Sequence, residues 1–323
     1  MNAVQIRNAR VCDTLKCMAR QCWEQGIAAQ AMLETGDTQA LALMARDCVV
    51  RQHEDGRLCC VEDTPAIVDP AICVEPVIAA EKLLDDVPCR EAAGKNITYL
   101  LHQAPGTADG ARFQLLGTQE VWADSLGMGP HVLIASGYPD EGLAFFDAVK
   151  KRLYDKKTGL YRHKWDEARG VFIRPCFWGV GNGWALVGLM RMALALSAAG
   201  DRRLSAVTGA FEALVHAMLP LQAENGLFHD ILDDAGSYVE TESAMMFAYA
   251  VFKLAGRELL SAKYLPAAQK ARHAAAARVD RFGLVRGCAG SPAFDREGTS
   301  AEGQSHFLMM EAAAAALERT RAI

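Results

Sequence analysis

The sequence predicts an all-α fold in which six helical hairpins close into a ring. Three observations predict it. Apolar residues recur at helical spacing through most of the chain, as in Ile27-Ala28-Ala29-Gln30-Ala31-Met32-Leu33 and Met245-Met246-Phe247-Ala248-Tyr249-Ala250-Val251, while runs of strict alternation are nearly absent. Short Gly-plus-apolar segments recur at Asp55-Gly56-Arg57-Leu58, Asp109-Gly110-Ala111-Arg112-Phe113, Thr158-Gly159-Leu160-Tyr161, Asn225-Gly226-Leu227-Phe228 and Phe282-Gly283-Leu284-Val285. They lie 54, 49, 67 and 57 residues apart, about two helices plus loops. Second helices of pairs, such as 178–199 and 239–255, are nearly apolar throughout, which suits an inner ring buried on all sides. An open array would want a polar capping repeat, and none is obvious at either end.

Breakers and caps set the elements in order. Helices near 2–19, 21–35 and 38–53 precede the first junction, and Asp69-Pro70 opens the next, 70–85, with Pro at its first position. Helix 89–103 runs to the second junction. Helix 120–136 follows with Trp122 and Asp124 in its first turn, then 140–155 to the third junction. The Gly-rich turn Trp178-Gly179-Val180-Gly181-Asn182-Gly183-Trp184 opens 178–199, with 203–220 after it. Helices 239–255 and 260–279 lie between the last two junctions, and 302–320 follows the final one. Gly suits a turn needing positive φ, and the apolar residue after it can cover the end of the core.

With 323 residues, 51% of them hydrophobic and 23% charged, the chain has ample material for a large core, and the ring spends residues 1–323 on one domain. A net charge of −5 without a dense basic block argues against nucleic acid as a partner. No apolar run approaches the ~18–20 residues that span a bilayer, and the first residues lack the apolar core of a signal peptide, so no membrane is expected and a cytoplasmic location is. Eight of ten cysteines fall in the first 89 residues with no C-x-x-C pair, which reads as free structural thiols.

Chemistry is expected in the funnel formed by loops at one end of the ring. All five tryptophans, Trp23, Trp122, Trp165, Trp178 and Trp184, fall beside helix starts or junctions, where indole faces can grip sugar rings or simply anchor helix ends. Asp124 at a helix start reads as a cap or as a catalytic acid, and Asp69, followed by Pro70, reads first as an N-cap. His163 lies in a junction loop crowded with aromatic and charged residues. The other histidines show no metal-ligand spacing, and Ser243 and Ser291 have no nucleophile-elbow context, so neither a metal, a cofactor nor a serine triad is expected.

The segments WEQG (23–26), VWADSLGMGP (121–130), TGLYRHKWDE (158–167), FWGVGNGW (177–184), SYVETESAMMFAYA (237–250) and GTSAEGQSHFLMMEA (298–312) together resemble glycoside hydrolase family 105. That family contains the unsaturated rhamnogalacturonyl hydrolases and is related to the unsaturated glucuronyl hydrolases of family 88. The resemblance implies an (α/α)6 barrel that removes a Δ4,5-unsaturated uronic acid from the non-reducing end of lyase-generated oligosaccharides, as in pectin breakdown. It implies hydration of a vinyl ether: a proton goes to C4, water adds at C5, and the hemiketal opens. Asp124 falls on the family's proton donor, which then acts as base toward water, and Asp69 on its second acid. Trp122, His163, Trp178, Trp184, Trp23 and Gln25 fall on substrate-binding positions. A proton donor needs a raised pKa, with Asp69 as the like charge beside Asp124. Many relatives carry Arg where this chain has Val180; Arg174, Lys164 or Arg162 could supply the positive charge instead. The alternatives are an (α/α)6 glycosidase acting on unsaturated glucuronides or saturated glycosides, or a sugar-binding relative without activity.

Overall fold

The computed structural model describes residues 2–62 and 64–321. Its helices are α1 (Ala3–Met18), α2 (Cys22–Thr35), α3 (Thr38–Val50), α4 (Val74–Leu84), α5 (Val87–His102), α6 (Ser125–Met128), α7 (Pro130–Ala135), α8 (Pro139–Leu153), α9 (Gly179–Ala198), α10 (Leu204–Met218), α11 (Glu242–Ala255), α12 (Leu265–Ala276) and α13 (Ala301–Arg321). The five junction glycines all have positive φ. At Gly56 and Gly226 a Cβ would also lie 2.7 Å from a backbone carbonyl, that of Lys95 on α5 and of Lys270 on α12. The two turns thus do one job twice: each presses bare backbone onto the next outer helix.

Directly after each junction the chain enters an inner helix. The inner ring runs α2, α4, α6 with α7, α9, α11 and α13, and α13 packs back on α2 to close it. Outer helices α3, α5, α8, α10 and α12 return the chain to the next junction, so an inner helix leads its pair instead of ending it. The sixth pair is made from opposite ends of the chain. Arg7 of α1 holds Glu311 of α13 at 2.7 Å, and Gln304 Nε2 donates to the Val11 carbonyl at 3.3 Å.

Burial follows this division. Residues 179–193 of α9, 242–252 of α11 and 301–311 of α13 are buried without interruption. Among the described helices α9 and residues 204–221 are long and apolar enough to cross a membrane, contrary to the expectation above, but α9 spends its apolar surface on its neighbours. Close approach at this ring selects glycine. A Cβ on Gly188 would sit 1.9 Å from the Leu126 carbonyl oxygen. Cys48, Cys59 and Cys73 pack beneath the first junction, their sulfurs within 4.8 Å of one another.

The expected helix 120–136 is three elements. Residues 120–122 form strand β1, paired antiparallel with β4 (Lys164–Asp166), which pairs with β5 (Val171–Arg174). Gly127, Gly129 and Pro130 then divide the helical part, because Gly127 lies against the Trp184 ring and Gly129 against Phe145, where a Cβ would be 2.4 Å from each. Four two-stranded or three-stranded patches, also including β2 (Tyr154–Asp155) with β3 (Leu160–Tyr161), β6 (Phe228–His229) with β7 (Val239–Glu240) and β8 (Cys288–Ala289) with β9 (Glu297–Gly298), stiffen the junctions on one face of the ring.

Candidate active site

All six inner helices begin on that face, and their starts surround a cavity of about 350 Å³. Gln21 and Trp23 come from the start of α2, Asp69 from the 3-10 turn leading into α4, Asp124 from the residue before α6, Trp178 and Val180 from the start of α9, Glu242 from α11 and Glu302 from α13. The volume is that of a small-molecule site, roughly 300–1,000 Å³. Backbone N–H groups at helix starts favour negative charge there.

Neither helix-start aspartate is spent on capping. Asp69 opens its turn with no cap bond and instead accepts from Gln114 Nε2, and Asp124 precedes α6 with its carboxylate turned away from the helix. Gln114 is fixed from the other side, where its Oε1 accepts from Ser125 Oγ at 2.7 Å. Asp124 Oδ2 lies 3.1 Å from His163 Nε2, which therefore carries the ring proton and donates it. The His163 ring is stacked on Trp178 with centroids 4.5 Å apart and meets Trp122 edge-on. Its buried Nδ1 has no hydrogen-bond partner among the described residues.

The ionisation of the pair is the reverse of the expected one. Burial, with the Asp124 charge adding to it, pushes the Asp69 carboxyl up to about 7. Asp124 is held below the usual carboxylate range: burial opposes this, but the His163 hydrogen bond and the charges of His163 and Lys164 win. Burial lowers the His163 pKa, and the Asp124 hydrogen bond and charge pull the other way. The two acids therefore hold one proton near neutrality, resident on Asp69. Asp124, with 14% of its side chain exposed, is the member open to the cavity.

Across the cavity lies a second polar group. Glu240 accepts backbone N–H bonds from Glu242 and Ser243, both at 2.7 Å, and from Ala289 at 3.2 Å. Glu242 reaches His306 Nδ1 at 3.0 Å and accepts from Ser300 Oγ at 3.1 Å. Burial pushes both carboxyls up to about 8, and the Glu242 charge adds to it at Glu240. Three backbone donors favour the charged form of Glu240 against that burial. Glu302 is raised by burial and by Glu242, and its buried Oε2 has no hydrogen-bond partner among the described residues.

Four of the five tryptophans, Trp23, Trp122, Trp178 and Trp184, line the cavity together with Asp69, Asp124 and His163. Trp165 does not. It packs on Phe172 with centroids 5.0 Å apart and donates to Glu167. Gln25 is a second correction: one helical turn past Gln21, it points outward and donates to Asp47 Oδ2 at 2.9 Å. Arg162 is held by Asp155 at 2.7 Å outside the cavity, whereas Lys164 and Arg174 line it. Gln21, Gln114, Glu242 and Glu302 were missed. For the two glutamates a signal existed, since each is an acid at the start of a long apolar helix, the same pattern that singled out Asp69 and Asp124.

Residues 2–315 match the family model of Glycosyl Hydrolase Family 88. The unsaturated rhamnogalacturonyl hydrolase YesR of Bacillus subtilis (strain 168) is 28% identical over 246 residues, 71% of this chain and 69% of that protein. A possible GH105 member from Klebsiella pneumoniae subsp. pneumoniae MGH 78578 superposes with a TM-score of 0.82 at 16% identity, covering 99% of this chain and 94% of that one. The unsaturated glucuronyl hydrolase of Bacillus sp. GL1 gives 0.68 at 16% identity over 92% and 86% of the two chains. These likenesses show a shared (α/α)6 fold.

Proposed function

The chain belongs to Glycosyl Hydrolase Family 88, and from that premise we propose that this glycoside hydrolase releases a Δ4,5-unsaturated uronic acid from the non-reducing end of lyase-generated oligosaccharides, with unsaturated galacturonyl-rhamnose as its preferred disaccharide. The observation that carries the reading is the pair of buried carboxylates, Asp69 and Asp124, holding one proton in a tryptophan-walled pocket. Hydration of a vinyl ether needs one acid that can become a base, and it needs nothing else covalent from the protein. The resemblance of YesR supports the choice of disaccharide.

Asp124 is the reacting member because it opens to the cavity. A bound uronate displaces water from around Asp124 and adds negative charge beside it, both of which favour its neutral form. The pair's proton then resides on Asp124, and Asp69 takes the charge, steadied by the Gln114 amide. Asp124 gives the proton to C4 as the double bond opens, and positive charge builds at C5. Water attacks C5 and returns a proton to Asp124, so the pair leaves the cycle as it entered. The resulting hemiketal opens and expels the second sugar. The indole faces of Trp122 and Trp178 frame the pocket wall and fix the His163 ring, which keeps Asp124 aimed.

The test is loss of the conjugated-uronate absorbance on lyase-treated rhamnogalacturonan, with unsaturated glucuronyl disaccharides and saturated uronides run in parallel. Faster loss on the rhamnogalacturonan products is expected. Faster loss on glucuronyl disaccharides would move the substrate, and loss of none of the unsaturated products would overturn the activity.

A further inference from the structure

The register of the junction sheet sets Lys164 on β4 directly opposite Arg174 on β5. Like charges in that position destabilise a strand pair. Other cations of the fold are answered, Arg57 by Asp55, Arg152 by Glu167 and Arg191 by Glu75, or, like Arg112, are spent on backbone carbonyls. Among the described residues neither Lys164 nor Arg174 reaches a carboxylate within ion-pair distance. Asp124 and Glu120 act on Lys164 only from farther away.

Each cation is nevertheless held in place. Lys164 Nζ lies 3.2 Å from the centroid of Trp122, and the Arg174 guanidinium 5.2 Å from that of Trp178. An indole face orients a cation without neutralising it. Burial and the Arg174 charge both press on the Lys164 ammonium and lower its pKa. The ladder also slips between Lys164 and Trp165, the kind of irregularity that re-aims a side chain beside a site. Both side chains line the cavity, as does Val180 of the Gly-rich turn, which brings no charge.

We propose that Lys164 and Arg174 form a two-cation clamp that grips the carboxylate of the uronyl ring and makes this pocket selective for acidic over neutral sugars. The clamp belongs to a strand pair, so recognition of the acid is carried by β4 and β5 in place of a cation on α9. Arg174 supplies a planar fork of N–H donors and Lys164 a point charge, together enough to satisfy both oxygens of one carboxylate. The bound anion relieves the repulsion that the strand register creates.

This inference rests on the uronate reading, and its test is chosen to stand apart from turnover. Saturated D-galacturonate and D-galactose differ at the carboxylate, and four pocket tryptophans report binding by fluorescence. The protein is expected to bind galacturonate at least tenfold more tightly than galactose, and Lys164→Met with Arg174→Met to erase that difference while galactose binding holds and the melting temperature does not fall. On unsaturated substrates each single variant is expected to raise KM tenfold or more with a smaller change in kcat, and Arg174→Lys to recover part of it. No acid preference in the unmutated protein, or a preference that survives both substitutions, overturns the clamp. An acid preference without turnover of any unsaturated product leaves the clamp standing and removes the activity.

Discussion

At the scale of single residues, Asp69 and Asp124 show how one pocket sets two like groups apart. Asp124→Asn is expected to lower kcat by at least ~1,000-fold while preserving substrate binding, because an amide cannot deliver the proton. Asp69 governs the alkaline limb. The pair must hold a proton to react, and Asp69 loses it near pH 7, so kcat/KM is expected to fall as pH rises through about 7. Asp69→Asn removes that limb from the pH profile as well as most of the rate. It also changes stability with a definite sign. A carboxyl raised from 3.8 to about 7 by folding supports the fold fully below about 4 and loses that support as pH rises through 7. The amide variant is therefore expected to melt higher than the parent at pH 8, by up to about 4 kcal/mol in stability, and equally at pH 3.5. A matched melting temperature at pH 8 would show that the Asp69 carboxylate is not destabilised by its burial.

At the scale of elements, the legible part of the chain was local. Helical spacing, the junction glycines and the tryptophans at helix starts are each read within a few residues, and they led to the ring and to part of the pocket wall. Partners across elements were not legible. Gln114 becomes important because it stands between Asp69 and Ser125, and Lys164 and Arg174 because a hairpin register sets them face to face. The helix expected over 120–136 failed for a similar reason: Gly127 and Gly129 answer to Trp184 and Phe145 from other helices, not to their own neighbours. Glycines on inner and outer helices therefore predict opposite outcomes. Gly188→Ala meets the Leu126 carbonyl at 1.9 Å and is expected to cost about 2–3 kcal/mol or more, whereas Gly209→Ala on α10 has nothing within 4 Å and is expected to gain about 0.5–1 kcal/mol. Chemical denaturation of the two variants checks the contrast.

At the scale of the whole molecule, pairing α13 with α1 joins residues about 300 apart in sequence, and this contact cannot form until nearly all the chain is present. Glu311 sits at the seam, held by Arg7 from α1 and by Arg272 from α12, both at 2.7 Å. Because α1 and α13 run antiparallel, the start of one and the end of the other emerge on the face opposite the cavity. That makes the chain topologically a circle with one gap, equivalent to the short turn between α9 and α10. A permutant with a short linker from Arg321 to Asn2 and new ends cut at Gly200 is expected to keep its fold and its binding of galacturonate. The same geometry fixes what can be attached: a carrier domain, a surface tether or a partner enzyme fused at either end hangs from the rear of the ring, and the substrate's approach stays clear.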